Sequence, residues 1–383
     1  MRKSLRLIAA ILLIVLLCPC AACLESLPLD EFLYVLDLGV EEGETLTYNF
    51  VFMVSVSVRS GDSSNTSVQI LSSEGRDLFE AVEALSAVVP KKITFSRMTL
   101  LVFSENLARG GDIPDILDFD EARLKIRDNI RVLISSSPMK ELFECMISEN
   151  DPSMSKLKSN LENNSVYSGT IVDRTLREMR FHLKDKICDV SVGYCAVNAK
   201  TPTNDMVSID SYPFVAGGLL VEGSMGTSLI GTAVFNGSAM VGVLDGQNTC
   251  FVMMVTDEFT EGRVWLKSPD GDDMCVLLTK AQKPRVRVSG SIAYVECFLT
   301  AKVDTPKLSN EIDEEQLILH ISRQLKSRAD AVFDALKDKR SDVYSFGAWA
   351  VMNFSDTEAW ESYDWKSVYS ELQCEFVFTL KLA

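Results

Sequence analysis

Between Thr45 and Val58 apolar residues fall on every even position (Leu46, Tyr48, Phe50, Phe52, Val54, Val56 and Val58). The odd positions are largely Thr, Asn and Ser, with Val51 and Met53 as exceptions. A period of two over that length predicts a long strand with one buried face. A polar stretch, Arg59 to Thr66, follows it. The period then changes: Leu78, Phe79, Val82, Leu85 and Val89 are spaced for one face of a helix over Glu74 to Val89, with Ser73 as its N-cap. That helix is expected to cover the strand.

Short apolar runs at Thr99 to Phe103 and Arg131 to Ser135 predict buried strands. Ser137-Pro138 starts a helix reaching about Ile147, because proline suits a first helical turn. A further helix is expected over Thr170 to Lys186. In the second half, strand-like runs occupy Leu229 to Phe235, Cys250 to Val255, Met274 to Leu278 and Arg285 to Val303. A long amphipathic helix then runs from about Asn310 to Asp338, with acids at its start and Lys337 and Lys339 at its end, matching the helix dipole. The chain closes on an alternating strand through Phe376, Phe378, Leu380 and Leu382. Strands interleaved with helices predict an α+β fold of two or three domains, each a mixed β-sheet with helices packed on one face. Prolines, asparagine and glycines between Ala199 and Gly218 suit an exposed connection. The expected organisation is therefore a first domain over 23–199, a linker over 200–217 and a second domain over 218–383, with a further division near 282 left open.

The first residues alter this picture. Arg2, Lys3 and Arg6 precede an uninterrupted apolar run from Leu7 to Leu17, and small residues Ala21 and Ala22 follow, which is the pattern of an export signal over 1–22. Cys23 stands directly after Ala21-Ala22, where a bacterial lipoprotein signal places its acylated cysteine, although Cys20 occupies the position usually held by leucine. An ordinary signal peptide cut nearby is the alternative. Cys23 is the one expected modification site. The chain carries a net charge of −16, and removing residues 1–22 takes Arg2, Lys3 and Arg6 with it, leaving −19. Such a surface repels nucleic-acid phosphates, and it repels anionic lipid as a whole, so membrane attachment is expected through a lipid anchor or a protein partner.

Little in the chain invites catalysis. His182 and His320 are the only histidines, both inside expected helices, and no nucleophile elbow, phosphate-binding glycine loop or H-E-x-x-H segment occurs. His182, Cys188 and Cys195 match no structural zinc spacing. Cys188 and Cys195 are read as buried thiols, with a disulfide between them as the alternative. The acidic groups Glu41, Glu42, Glu44 and Asp270, Asp272, Asp273 lack the EF-hand rhythm and are read as solvated charges. No catalytic residue, cofactor or metal is expected.

Several segments, taken in order, resemble the Ger(x)C family of spore germination lipoproteins. These are Phe32 to Val40 with its glycine at Gly39, and Ser73-Glu74-Gly75-Arg76-Asp77-Leu78-Phe79-Glu80-Ala81. Phe95-Ser96-Arg97-Met98 leading into Leu100 to Ala108, and Arg127-Asp128 with Ile130-Arg131, continue the series. In the second half, Gly231 to Phe235 with Met240-Val241-Gly242 belong to it, as does Ser341-Asp342-Val343-Tyr344-Ser345-Phe346-Gly347 followed by Trp360 and Trp365. The chain departs from the pattern at Leu24-Glu25, Glu41 and Asp77. The resemblance implies a non-enzymatic C subunit of a germinant receptor, lipid-anchored on the outer surface of the inner spore membrane. It would work there with integral membrane A and B subunits in nutrient-triggered germination. An extracytoplasmic solute-binding lipoprotein is the alternative, but that class has two doubly wound domains around a cleft, and the second half here runs several strands before its one long helix.

Overall fold

The computed structural model describes residues 31–60, 63–118, 124–148, 156–184, 187–198, 206–207, 214–221, 226–304 and 313–383. Expectations for the export signal, for Cys23 and for most of 200–217 lie outside the described residues. Strands β1 (Phe32–Glu42), β2 (Tyr48–Ser60) and β3 (Ser63–Gly75) form an antiparallel meander. Helix α1 (Leu78–Val88) leads into β4 (Lys92–Thr94) and β5 (Leu100–Ser104), both parallel to β1. After the short α2 (Glu105–Gly110) and α3 (Ile113–Ile116), β6 (Arg131–Ser135) adds in parallel to β5. Helices α4 (Met139–Ser148) and α5 (Lys156–Ser168), the two-residue β7 (Arg174–Thr175) and α6 (Leu176–Lys184) lead to β8 (Ser191–Val197), parallel to β6. Strands β9 (Met206–Val207), β10 (Thr227–Asn236) and β11 (Ala239–Leu244) complete the sheet, so its order among the described residues is β3-β2-β1-β5-β6-β8-β10-β11-β9.

The α+β class is observed, and the first sheet is covered on both faces where the pattern predicted one. Phe50, Phe52 and Val54 share a core with Leu78, Ala81 and Leu85 of α1, as the alternation required. Val51 and Met53 point the other way into a second core with Met139, Leu142 and Phe143 of α4 and Leu161 of α5. The two exceptions in the alternation are thus the trace of a second buried face.

Three expectations are corrected. The helix expected from Glu74 begins at Leu78, capped by Asp77, whose side chain accepts from the Glu80 amide at 2.8 Å. Ser73 and Glu74 remain on β3 because the Glu74 carboxylate is held by the amides of Glu44, Thr45 and Leu46 in the β1–β2 turn, at 2.8, 2.9 and 2.8 Å. Those bonds hold its pKa below the ordinary value. The helix expected over Thr170 to Lys186 is confined to Leu176–Lys184, since Ile171 and Val172 are buried in the cores and Arg174–Thr175 pairs with β6. The strand expected at Cys250 to Val255 is helix α7 (Gly246–Val255), N-capped by Asp245 and buried along almost its whole length, so no polar stripe marks its period.

Beyond α7 a second sheet runs β12 (Glu261–Lys267), β13 (Asp273–Ser289), β14 (Ile292–Val303) and β15 (Gln373–Leu382), in that order. β15 is parallel to β14 and the other pairings are antiparallel. Residue 282 lies within β13, at a register irregularity and not at a break in the strand. Helix α8 (Glu314–Asp338) lays Leu317, Ile321, Leu325, Val332 and Leu336 on this sheet. Short helices α9 (Phe346–Ala350), α10 (Thr357–Glu361) and α11 (Trp365–Ser370) join it to β15. The expected linker is not where the sheets change: β10 and β11 follow it and still pair in the first sheet, and the change comes at α7. There Val234 and Leu244 of the first sheet share one core with α7 and the second sheet.

One buried charge in the first sheet yields a prediction. Asp37 of β1 is fully buried; its Oδ1 accepts from Thr99 Oγ1 at 2.8 Å, while Oδ2 has no hydrogen-bond partner. Burial pushes its carboxyl from 3.8 up to about 7, against the pull of the Thr99 and Leu100 donors. The folded state thus holds the proton more tightly than the unfolded chain, so this contribution is present below pH 4 and is lost as pH rises through about 7. Asp37→Asn keeps an acceptor for Thr99 and carries no charge. It is expected to raise stability by about 1–2 kcal/mol at pH 8, with the gain fading toward pH 4. Denaturation of both proteins at the two pH values checks this, and a less stable variant at pH 8 would contradict it.

Candidate functional site at the junction of the two sheets

The segment Ser341 to Gly347, which follows α8, brings the second half of the chain against the first sheet. Two consecutive side chains do most of the joining. Ser341 Oγ donates to the Phe235 carbonyl of β10 at 2.6 Å, and Tyr369 on α11 donates to the Ser341 carbonyl at 2.8 Å. The Asp342 carboxylate is fully buried and accepts from the amides of Phe346 and Gly347 and from Trp365 Nε1, at 2.9, 2.7 and 3.0 Å. Burial pushes its pKa up to about 7 against the pull of those donors, and the neighbouring Asp189 adds to the rise.

Asp189, just before β8, faces Asp342 from the first sheet. Its carboxylate accepts from the amides of Gly237 and Asp342, each at 2.7 Å, and from Lys366 Nζ of α11. Lys366 also donates to Asn236 Oδ1 at 3.0 Å and to the Arg340 carbonyl at 3.3 Å. The backbones meet as well, with the Asp189 amide 3.2 Å from the Asp342 carbonyl. Behind this polar node stand Phe333, Tyr344, Phe346, Tyr369 and Phe376 in ring contact. The Asp189 and Asp342 carboxylates are enclosed and hydrogen-bonded on both sides of the junction, which makes a rigid joint between two sheets, while the buried Tyr344 hydroxyl behind them has no hydrogen-bond partner.

Of the other residues singled out by sequence, His182 and Cys188 meet, and His320 and Cys195 lie apart from them. His182 Nδ1 lies 3.3 Å from Cys188 Sγ, whereas His320 Nε2 lies 2.8 Å from the Lys267 carbonyl at the edge of the second sheet. Cys188 and Cys195 are free thiols. One precedes β8 and the other is near its end, a separation of roughly 20 Å along an extended chain, far beyond disulfide reach. Burial pushes the Cys195 thiol up to about 12. Among the described residues no group of three or more His, Cys, Asp or Glu side chains could hold a metal ion, and no helix is long and apolar enough to cross a membrane. Cys23 lies outside the described residues. Asp189 and Lys366 are not picked out by the sequence; a lone aspartate ahead of the apolar run of β8 is the only signal, and Lys366 leaves none.

The segments that build this joint also fall within regions matched by known families. The family described as "Spore germination protein N-terminal domain" matches residues 29–197, and that described as "Spore germination B3/ GerAC like, C-terminal" matches residues 230–383. The chain belongs to the GerAC family of spore germination proteins. Membership in this family makes the chain a spore germination protein. The solved structure titled "Crystal Structure of the GerBC protein" is similar over 90% of this chain and 96% of its own, with a TM-score of 0.54 at 12% identity, a likeness of fold. No curated protein sequence matches. In this GerAC family member, Ser341 to Gly347 makes the inter-sheet joint, and Trp365 closes it from α11.

Proposed function

We propose that this GerAC family member is the C subunit of a spore germinant receptor, acting with integral membrane A and B subunits in nutrient-triggered germination. It is placed on the outer face of the inner spore membrane by a lipid on Cys23. The observation that carries this reading is the pair of family matches, which together run from residue 29 to residue 383 with a gap only at 198–229. That gap supports a first region over 23–199 and a second over 218–383, joined in sequence by 200–217. The alternative, a solute-binding lipoprotein, calls for two doubly wound domains facing a cleft. Here the second sheet has four strands in hairpin order with a parallel β15 and one long helix, which favours the subunit reading.

Attachment is tested at Cys23. A mature chain at −19 gains nothing overall from an anionic membrane, so acyl chains, at about 0.8 kcal/mol per buried CH2, and partner subunits must hold it there. Cys23→Ala is expected to move the protein from the membrane to the soluble fraction, or to leave an uncut precursor held by Leu7 to Leu17. Mass spectrometry of the wild-type N-terminus should find a lipid on Cys23. An unmodified N-terminus elsewhere would remove the anchor from this reading. Affinity purification of the wild type from spore membranes should bring integral membrane subunits with it, and recovery of the chain alone would count against the receptor.

A further inference from the structure

Although the chain as a whole is strongly acidic, one edge of its first sheet is not. β1, β4, β5, β6 and β8 run in the same direction, so their N-terminal ends and the loops before them lie along one edge. That edge exposes Lys92, Arg97, Lys125, Arg127 and Arg177. The loops carrying them touch: Arg97 lies 4.1 Å from the centre of the Tyr34 ring of β1, and Arg127 Nη2 is 3.4 Å from the Met98 carbonyl. The Arg177 amide donates to the Asp128 carbonyl at 2.9 Å. Among the described residues, the acids at this edge are Glu31, Asp118, Asp128 and Glu178, with Asp173 paired to Arg131 and Asp189 to Lys366. Asp128 is paired with Arg177, Glu178 is bonded to Thr175, and Asp118 faces Arg180. Two apolar side chains stand out of the same region, Val88 at the end of α1, 81% exposed, and Phe181 on α6, 62% exposed.

The N-terminal segment joins the fold at this edge, where Phe32 pairs with Lys92. Cys23 precedes Glu31 by eight residues, at most about 28 Å of extended chain. An anchor there keeps this edge, of all parts of the molecule, within reach of the bilayer. Cations with interspersed exposed apolar side chains suit an anionic lipid surface.

We propose that this basic edge, with Val88 and Phe181, rests on the anionic lipid surface to which the N-terminus is anchored and so sets the orientation of the whole ectodomain. The proposal rests on the anchored reading above, and its test separates the two. Full-length protein is placed on vesicles of phosphatidylcholine with or without phosphatidylglycerol. Flotation reports whether the chain is anchored, and amide hydrogen exchange over 91–97 and 124–131 reports whether the edge meets lipid. On phosphatidylglycerol vesicles these amides should exchange at least about fivefold more slowly than on phosphatidylcholine alone, the factor that one basic residue at an anionic surface supplies. The protection should vanish in 0.5 M salt, where screening reaches within about 4 Å. It should also vanish in the variant Lys92→Glu/Lys125→Glu/Arg127→Glu, and persist in Lys283→Glu/Lys302→Glu, whose changes lie on the second sheet. Equal exchange on both lipids by a protein that floats overturns the proposal and leaves the anchor standing. Protection that survives the triple reversal, or that requires the membrane subunits and not the lipid, overturns it as well.

Discussion

Gly347→Ala is expected to destabilise the protein by about 3–5 kcal/mol. A Cβ at this position would lie 1.8 Å from the Ile187 carbonyl oxygen and 2.7 Å from Trp365 Nε1. The first neighbour is backbone and cannot rotate away. Moving residue 347 instead would strain the hydrogen bond its N–H donates to the Asp342 carboxylate and the joint built on it. Here the glycine answers to close approach and not to unusual dihedral angles. Denaturant unfolding of the full chain reads the loss. Gly290→Asn is the control, because Gly290 has a φ of 57° that asparagine tolerates and nothing within 4 Å of an added Cβ, so its cost should stay under about 1 kcal/mol. A loss below about 1 kcal/mol for Gly347→Ala would mean that the two sheets are less tightly joined at this point than the geometry implies.

Lys366→Met should cost about 2–3 kcal/mol. Asp189 is 2% exposed, and the variant would leave its carboxylate with two backbone amides and no cation. Removing one member of a fully buried pair costs about 3–5 kcal/mol, and the figure is reduced here because the lysine is itself about a third exposed. Lys326→Met, which breaks the exposed pair with Asp330 on α8, should change stability by less than about 0.5 kcal/mol. Equal effects from the two lysines would show that Asp189 is stabilised by its amides alone. Exchange protection of 187–190 and 340–347 should fall together in Lys366→Met, because both segments depend on the same carboxylates.

Elements whose burial is one-sided are legible in the order of residues alone. The stripe of α8 and the alternation of β15 each leave one face exposed, and a one-sided element writes its period into the sequence. Elements buried all round, or hardly at all, carry no such period and are misread for that reason. α7 is apolar on every side and has the pattern of a buried strand. β3 is a polar edge strand, Ser63 to Gly75, and has the pattern of a turn followed by a helix, because an edge needs no apolar face to be held by its partner β2. Loop composition puts the domain boundary at 200–217, yet composition says only where chain is exposed and not which sheet the next strand will join.

By itself the sequence determined the α+β class, the family, the acidic character of the chain and the candidate anchor at Cys23, because each depends on local pattern, charge or motif order. It also marked Ser341 to Gly347 as a signature without saying what the signature does. Only the tertiary structure decided that Asp342 meets Asp189 across 153 positions of chain and that Lys366 closes on Asp189 across 177. It also gathered the cations of two separate loops on the edge where the N-terminus enters. A polar side chain carries no trace of its partner in the residues beside it; the partner is chosen by how strands and helices pack, and burial then makes the pairing obligatory.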